Sequence, residues 1–294
     1  MAENNALTVT QQNVVSFKKM VDGNYVQSQL KQVLKENAGT FATSLMEVYT
    51  NDKQLQSCDP KSVVQEAIKA ASLKLPLNKQ LGMAYILVFK NWDKEKRQAV
   101  PTPTLVVGYR GYIQLAIRSG QYRNINADVV YEGEYKGFNK LTGDLDLSGE
   151  KISDKIQGFF AYFELVNGFR KVLYMTVEDM VRYAIKFSPS FRVQKELPKV
   201  DDIIDKWNEQ SVNGATGQGW MNDGISMGRK TVLRQLLSKY GLLSIEMQNA
   251  LVSDEENATT AEEIREEDNS AEKPVFVPAV EVEEDNDDNN EPPI

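Results

Sequence analysis

The pattern of hydrophobic and polar positions predicts helices in the first quarter of the chain. Residues 1–24 are polar and have no period, which favours a flexible N-terminal arm. Two short helical patterns fill Asn24–Asn51, and another follows Ser62–Gln65, whose residues have the form of a capping box. We therefore expect the folded part of the chain to begin near residue 25.

Strand patterns follow in the middle of the chain. Two β-rich runs, Met83–Lys90 and Thr104–Val107, are joined by a charged connection. Pro101 and Pro103 should keep the second run at a sheet edge, or outside the sheet until Thr104, because proline cannot donate to a strand ladder. The amphipathic segment Tyr109–Ser119 then predicts a short helix that ends at a glycine.

A second group of strands is expected after this helix. Ile125–Tyr131 alternates strictly, which is the period of a half-buried strand. Glu132–Asp154 is polar and rich in glycine, so it predicts a long loop or an extended hairpin. Asn167-Gly168 separates the runs Ile156–Val166 and Phe169–Met175 and is the strongest short signal for a β-hairpin.

The last third of the chain predicts two helices and a tail. Thr176 is placed to cap the first helix, and the second covers Met227–Tyr240. The stretch between them predicts no regular element, and from Ser253 the composition is typical of disorder. Hairpin-joined strands with flanking helices indicate an α+β fold with a mainly antiparallel sheet. We expect one folded domain over residues 25–252 and an acidic, disordered tail over residues 253–294.

Composition excludes several kinds of chemistry. The 294 residues include no histidine, which removes serine–histidine and cysteine–histidine catalysis. The single cysteine, Cys58, excludes an intrachain disulfide and a cysteine-based zinc site, and no basic neighbour lowers its pKa, so it should be inert. Apolar runs are too short to span a bilayer and no export signal is visible, so a soluble intracellular protein is expected.

The charge is distributed unevenly along the chain. The formal net charge is −8, from 34 basic and 42 acidic residues. From Ser253 onward there are 16 acidic and two basic residues, which leaves the preceding part near +6. A basic body with an acidic tail is expected of a protein that binds a polyanion, although a solubilising tail on an ordinary domain gives the same asymmetry.

Basic and aromatic residues share the helix predicted at Tyr109. Arg110, Gln114 and Arg118 recur every fourth residue and form one polar stripe beside Tyr109 and Tyr112. Such an arrangement suits a chain of phosphates with stacked bases, and Arg123 follows it closely in the sequence. The alternative is a solvated helix face with ion pairs.

The helix predicted at Met227 repeats this arrangement. Lys230 and Arg234 lie one turn apart on its flank, whereas Arg229 projects toward the apolar side and must leave near the helix start or find a partner. Backbone N–H groups at the helix start, together with Arg229 and Lys230, would form a phosphate-binding corner. Arg182 and Lys186 add a third basic pair.

Two other motifs suggest enzymes but fit them poorly. Gly228–Thr231 resembles the end of a nucleotide-binding phosphate loop, yet that motif requires glycine immediately before lysine, and here arginine intervenes. The carboxylates of Asp128, Glu132, Glu134 and Asp144–Asp146 could form a two-metal nuclease site, but solvated carboxylates on a strand end and loop are the more ordinary interpretation.

Several segments follow one another in a fixed order along the chain: Leu73–Leu77, Gly82–Tyr85, Val107–Gly120, Ile125–Tyr131, Trp220 and Met227–Leu237. Together, and in this order, they resemble the RecT family of phage and prophage single-strand annealing proteins. The specific part is the block Gly108-Tyr109-Arg110-Gly111, which continues to Arg118-Ser119-Gly120. Gly219 stands where the family pattern has proline, and Gly224 and Gly228 replace better helix formers, which leaves the start of that helix undefined.

The resemblance implies the core fold of the single-strand annealing protein superfamily. It also implies binding of single-stranded DNA, ATP-independent pairing of complementary strands through an annealed duplex intermediate, and assembly into rings or helical filaments. No cofactor and no catalytic residue would be needed, and residues 25–252 would bind DNA and oligomerise. The expected partners are an exonuclease and a host single-strand binding protein, and the expected location is the cytoplasm of a bacterial host of the phage or prophage.

The residues carried over from the resemblance are cations for phosphates and aromatics for bases. The DNA contacts expected are Arg110, Arg118, Arg123, Arg182, Lys186, Arg229, Lys230 and Arg234, with Tyr109, Tyr112 and Trp220 as stacking groups. For Tyr112 and Trp220 a core position is the favoured alternative. The alternatives to annealing are the metal-dependent nuclease described above and a structural phage assembly protein whose basic faces contact other subunits.

Overall fold

A computed structural model of the protein describes residues 9–93, 97–188, 191, 198–217 and 219–258. The expectation of a disordered acidic tail therefore falls outside the described residues from 259 onward. The described part is an α+β structure with antiparallel sheets and flanking helices, as the sequence predicted.

The chain begins with a helical layer rather than with a flexible arm. The helices are α1 Val9–Val21, α2 Asn24–Leu34, α3 Ala38–Asn51, α4 Lys53–Gln56 and α5 Pro60–Ser72. Phe17 of α1 is fully buried, and its ring stacks on that of Tyr49 with centroids 3.7 Å apart. The prediction of an arm is wrong for residues 9–24, because the buried Phe17 and Val21 lie one helical turn apart and fix α1 against the domain.

Helix α5 starts earlier than its pattern indicated. The capping box expected at Ser62 is replaced by Asp59, whose carboxylate accepts a hydrogen bond from the Ser62 backbone N–H at 3.2 Å. Pro60 occupies the first helical position, where its missing N–H and fixed φ cost nothing. Asp59 caps the helix because aspartate is a strong N-cap residue, and proline is favoured directly after it.

Strands β1 Ala84–Asp93 and β2 Gln98–Val107 form a two-stranded antiparallel sheet. Both strands are edge strands, so Pro101 and Pro103 are accommodated at an edge, and β2 extends six residues further toward the N-terminus than the pattern at Thr104 suggested. The Leu105 N–H donates to the Glu66 carboxylate of α5 at 2.7 Å. This bond ties the helical layer to the sheet.

A three-stranded antiparallel sheet in the order β3–β6–β7 forms the centre of the fold. Its strands are β3 Tyr122–Tyr131, β6 Ile156–Leu165 and β7 Arg170–Thr176. The predicted hairpin at Asn167-Gly168 is confirmed, and Gly168 has a φ of +86°. The loop predicted after β3 contains a small hairpin made of β4 Gly137–Asn139 and β5 Asp144–Asp146.

Five helices follow the strands or flank them: α6 Tyr109–Arg118, α7 Val177–Phe187, α8 Val200–Asn213, α9 Gly224–Tyr240 and α10 Ile245–Ala258. Thr176 caps α7 as predicted, by accepting from the Asp179 N–H at 3.1 Å. Helix α8 was missed although Trp207 within it is fully buried. Helix α10 crosses Ser253, so the predicted boundary of the acidic tail is too early.

Glycines explain how α9 packs on the sheet. The helix starts at Gly224, three residues before its hydrophobic pattern begins, with Asp223 as its cap. A Cβ at Gly224 would lie 2.1 Å from the Trp207 ring nitrogen, and one at Gly228 would lie 2.5 Å from the Phe159 ring. Better helix formers are absent from these positions because two aromatic rings occupy the space of the missing side chains.

Candidate nucleic-acid interface

A cation of α9 contacts a tyrosine of α7. The Arg234 guanidinium donates to the Tyr183 hydroxyl at 3.3 Å. The Tyr183 ring contacts Phe187 with centroids 4.6 Å apart, and the Lys186 ammonium lies 4.9 Å from the centre of the Phe187 ring. Lys230 lies one turn before Arg234 on the same, partly exposed side of α9. We call Lys186, Lys230 and Arg234, together with Tyr183, the α7–α9 cluster.

Arg182 lies on the outer side of α7, next to this cluster. It is exposed, and its side chain has neither a hydrogen bond nor an ion pair within the described part of the chain. Lys186 follows it one turn later on the same helix. The two basic pairs that the sequence placed on separate helices, at α7 and α9, are therefore adjacent in the fold.

Arg110 lies at a second position, near the start of α9. A Cβ at Gly82 would lie 3.4 Å from Cδ of Arg110, and the start of α6 sits against the chain at Met83 because Gly111 has no side chain. Tyr85 is close by, and burial raises the pKa of its phenol while the Arg110 charge lowers that pKa. Arg110 itself is exposed.

The phosphate corner predicted at the start of the Met227 helix is not present in the expected form. Because α9 begins at Gly224, Arg229 and Lys230 lie in its second turn rather than at its first N–H groups. Those groups have protein partners: the Gly224 N–H donates to the Gln210 side chain at 3.0 Å, and the Ser226 N–H donates to Asp223 at 3.1 Å.

Arg229 is held by an ion pair inside the molecule. It lies between the apolar positions of α9, and its guanidinium pairs with the Asp128 carboxylate on the edge strand β3 at 2.5 Å. From the sequence, the Arg229 side chain was expected either to turn away from the apolar side near the helix start or to have a partner. In the structure it has a partner, Asp128. Arg229 as a phosphate contact therefore stays a prediction, with Asp128 as its partner in the structure, and the nuclease candidate Asp128 is engaged by the same ion pair.

Arg118 and Arg123 also have protein partners. Arg118 donates to the carbonyl oxygens of Leu73 at 2.6 Å and Lys74 at 3.3 Å, just beyond the end of α5, and burial lowers its pKa. Arg123 pairs with Glu164 across the sheet at 2.8 Å. Both side chains are exposed, and both have partners within the protein.

The aromatic candidates divide into core and surface. Tyr112 is fully buried and Trp220 is 7% exposed, with the Trp220 ring 5.8 Å from the Trp207 ring in a stacked arrangement. The core interpretation of these two residues is the one that the structure supports, and neither offers a face to a base. Tyr109 is partly buried against the core. Tyr183, which was not predicted, carries no local signal except its place beside Arg182.

The remaining acidic candidates do not converge. Glu132 accepts from the Ser153 hydroxyl at 2.6 Å, Glu134 accepts from the Tyr131 N–H at 2.7 Å, and Asp144 pairs with Arg170 at 3.5 Å. Within the described ranges no group of three acidic or cysteine side chains is placed to hold a metal ion. Cys58 is buried, and burial raises the pKa of its thiol to about 11.

These features define a class: an α+β protein that carries surface cations on the helices flanking an antiparallel sheet. A model of the RecT family matches residues 39–274, and the chain belongs to the RecT family. It is 36% identical over 261 residues to the uncharacterized protein YqaK of Bacillus subtilis strain 168, which covers 88% of this chain and 79% of that protein. It is 30% identical over 209 residues to protein RecT of Escherichia coli strain K12, covering 70% of this chain and 67% of the relative.

Family membership supports a general role in single-strand annealing and recombination, with binding of single-stranded DNA and self-association. The resemblance drawn from the Gly108–Gly111 block and the Met227 helix is thereby confirmed. As a separate finding, no helix in the described ranges combines the length and the apolar character that a bilayer crossing requires.

Proposed function

We propose that the protein is an ATP-independent annealing protein that binds single-stranded DNA as an oligomer and pairs complementary strands. The observation that carries this proposal is the α7–α9 cluster, where Arg234 of α9 donates to Tyr183 of α7 and so joins two helices that both carry basic residues. Arg110 and Arg182, which are exposed, are the further phosphate contacts that we propose. Arg118 and Arg123 would contribute only at the margin of this surface.

The physical basis of the activity is neutralisation of the DNA backbone. Each phosphate that a cation contacts releases a counterion, so binding is strong at low salt and independent of sequence. A backbone held in this way leaves the bases exposed, and pairing and stacking then supply the free energy of annealing. Neither nucleotide hydrolysis nor a catalytic side chain is needed, and we propose that the protein is not an enzyme.

The partners and location that we propose follow the family. They are a second copy of the chain in a ring or filament, an exonuclease that generates single strands, and a host single-strand binding protein. The location would be the cytoplasm of a bacterial host of a phage or prophage. The acidic tail, which lies outside the described residues, could compete with DNA or recruit a partner.

Pairing of labelled complementary strands without ATP tests this function. We expect the full chain to accelerate pairing, and Arg110→Ala with Arg182→Ala to slow it, because both side chains are exposed and their loss leaves the core intact. Lys61→Ala is the matched control, since Lys61 is an exposed cation on α5, outside the proposed surface. Unchanged pairing rates in the Arg110 and Arg182 variant would contradict the proposal.

Two further measurements on the same protein samples distinguish annealing from the two alternative functions. Cleavage of labelled single strands in magnesium would favour a nuclease and overturn the proposal. Oligomers that show no salt-sensitive binding of DNA would favour a structural assembly protein.

A further inference from the structure

The two faces of the central sheet differ in how far their side chains are buried. Successive residues of β6 point to opposite faces. Phe159 and Phe163 are fully buried in the core, where Gly228 of α9 packs against the Phe159 ring. Phe160 and Tyr162 point the other way and are partly exposed. Neither belongs to the hydrophobic core of the described residues, so the sheet has an outer face with aromatic side chains outside that core.

The neighbouring strand β7 extends this outer face. Phe160 lies opposite Tyr174, and Tyr162 lies opposite Val172. Tyr174 and Val172 are also partly exposed and lie outside the core of the described residues. Tyr135 continues the surface, since its ring stacks on that of Tyr174 with centroids 5.0 Å apart. We call Phe160, Tyr162, Tyr174 and Tyr135 the outer aromatic face.

The carboxylates beside Phe160 and Tyr162 are compensated by cations. Asp128 of β3 pairs with Arg229, and Glu164 of β6 pairs with Arg123 of β3 at 2.8 Å. Asn126, two residues before Asp128 on the same face, is exposed, and its side chain makes no hydrogen bond within the described ranges. Because each of these carboxylates has a cationic partner, this part of the face does not repel a polyanion.

Two arginines flank the Tyr162 end of the face. The Arg123 side chain is 57% exposed, and that of Arg170, which lies opposite Glu164, is 67% exposed. Arg170 pairs with Asp144 at 3.5 Å. Exposed ion pairs of this kind contribute little to stability, so either guanidinium can share its charge with a phosphate. Rings in the middle and cations at one end match the bases and the backbone of a nucleic acid.

We propose that the outer aromatic face stacks the bases of a single DNA strand, with Phe160 and Tyr162 as the central rings and Arg123 and Arg170 as phosphate contacts. The Cα atoms of residues that share a face of a strand are about 7 Å apart, so adjacent bases can lie on the two rings. Sheet faces with surface aromatics bind single-stranded nucleic acid in this way, and stacking tolerates any base. This inference rests on the proposed binding of single-stranded DNA and adds a surface separate from the α7–α9 cluster.

Fluorescence anisotropy of the full chain with labelled oligo-dT tests the proposal. Tyr162→Ala should weaken binding about 5- to 150-fold, because one stacking ring is lost. The slope of log affinity against log salt should stay that of the wild type, since no phosphate contact is removed. Tyr162→Phe keeps the ring and should bind like the wild type, and Phe160→Leu should weaken binding as Tyr162→Ala does. Tyr25→Ala is the matched control, since Tyr25 is a 72% exposed tyrosine on α2.

Photo-crosslinking of the wild type locates the bases without any substitution. The probe is oligo-dT in which single thymines are replaced by 5-iodouracil, a base that crosslinks to aromatic side chains in contact with it. We expect the modified peptides to include Ile156–Leu165, the strand that carries Phe160 and Tyr162.

Three outcomes would overturn this assignment. In the first, Tyr162→Ala and Phe160→Leu fold, as shown by circular dichroism, and bind oligo-dT like the wild type or no more weakly than Tyr25→Ala. In the second, the crosslinks map only outside the central sheet. In the third, Tyr162→Ala dissociates the DNA-free oligomer in sedimentation velocity, which would make the face a contact between copies of the chain. A wild type that does not bind oligo-dT would refute the proposed function as well, whereas the three outcomes above refute this inference alone.

Discussion

Replacing Gly228 by alanine should destabilise the protein although alanine is the better helix former. The added Cβ would lie 2.5 Å from one carbon of the Phe159 ring and 2.8 Å from two others, and Phe159 is fully buried in the central sheet. Overpacking of this kind costs about 1–3 kcal/mol. The gain in helix propensity offsets roughly 1 kcal/mol of that cost. We expect a net loss of up to about 2 kcal/mol, or a fall in Tm of up to about 8 °C.

Gly39→Ala is the matched control for this measurement. Gly39 is exposed in α3, and a Cβ there would meet nothing within 4 Å. Alanine should therefore stabilise the protein by about 0.5 kcal/mol. Urea unfolding followed by circular dichroism gives both values. Equal effects of the two substitutions, or stabilisation by Gly228→Ala, would refute the close packing of α9 on the sheet.

Three further predictions concern buried polar groups. Asp128→Ala should destabilise the protein by about 1–3 kcal/mol in thermal melts, because Arg229 would keep a partly buried charge without its partner; no loss would refute the ion pair. Burial raises the pKa of Tyr122 to about 12, so the stability that its neutral phenol contributes should persist below pH 10 and be lost as the pH rises toward 12. Tyr122→Phe should reduce this alkaline loss of stability without abolishing it, because Tyr49 and Tyr174 also have a pKa of about 12. The Cys58 thiol, with a pKa of about 11, should react with iodoacetamide at pH 8 only in urea, and rapid alkylation of the native chain would contradict its burial.

Local signals made the sheet predictable from the sequence. The hairpin at Asn167-Gly168 follows from two residues that accept the turn conformation, and the Thr176 cap follows from one hydroxyl. Helix α1 was missed because its pattern becomes clear only when Phe17 meets Tyr49, 32 positions along the chain. Such long-range contacts decide burial, and a single sequence does not display them.

The kinds of residue that form the candidate site were predictable from the sequence, but which particular residues belong to it was less predictable. The pattern of cations every fourth residue placed Lys230 and Arg234 on one side of α9, where the structure has them. The same pattern could not show which protein groups each cation meets: Arg118 donates to the carbonyls of Leu73 and Lys74, and Arg234 donates to the Tyr183 hydroxyl. These partners lie far along the chain, and a single sequence does not display them.

The dependence of single-strand DNA affinity on salt tests the α7–α9 cluster most directly. Fluorescence anisotropy with labelled oligo-dT over a range of salt concentrations gives the slope of log affinity against log salt for the wild type, Lys230→Ala with Arg234→Ala, and Lys61→Ala. Each lost phosphate contact should reduce that slope by about 0.7, so the double variant should lose about 1.4. Lys61→Ala should match the wild type. A double variant with the wild-type slope would contradict the claim that cations of the α7–α9 cluster hold the DNA backbone.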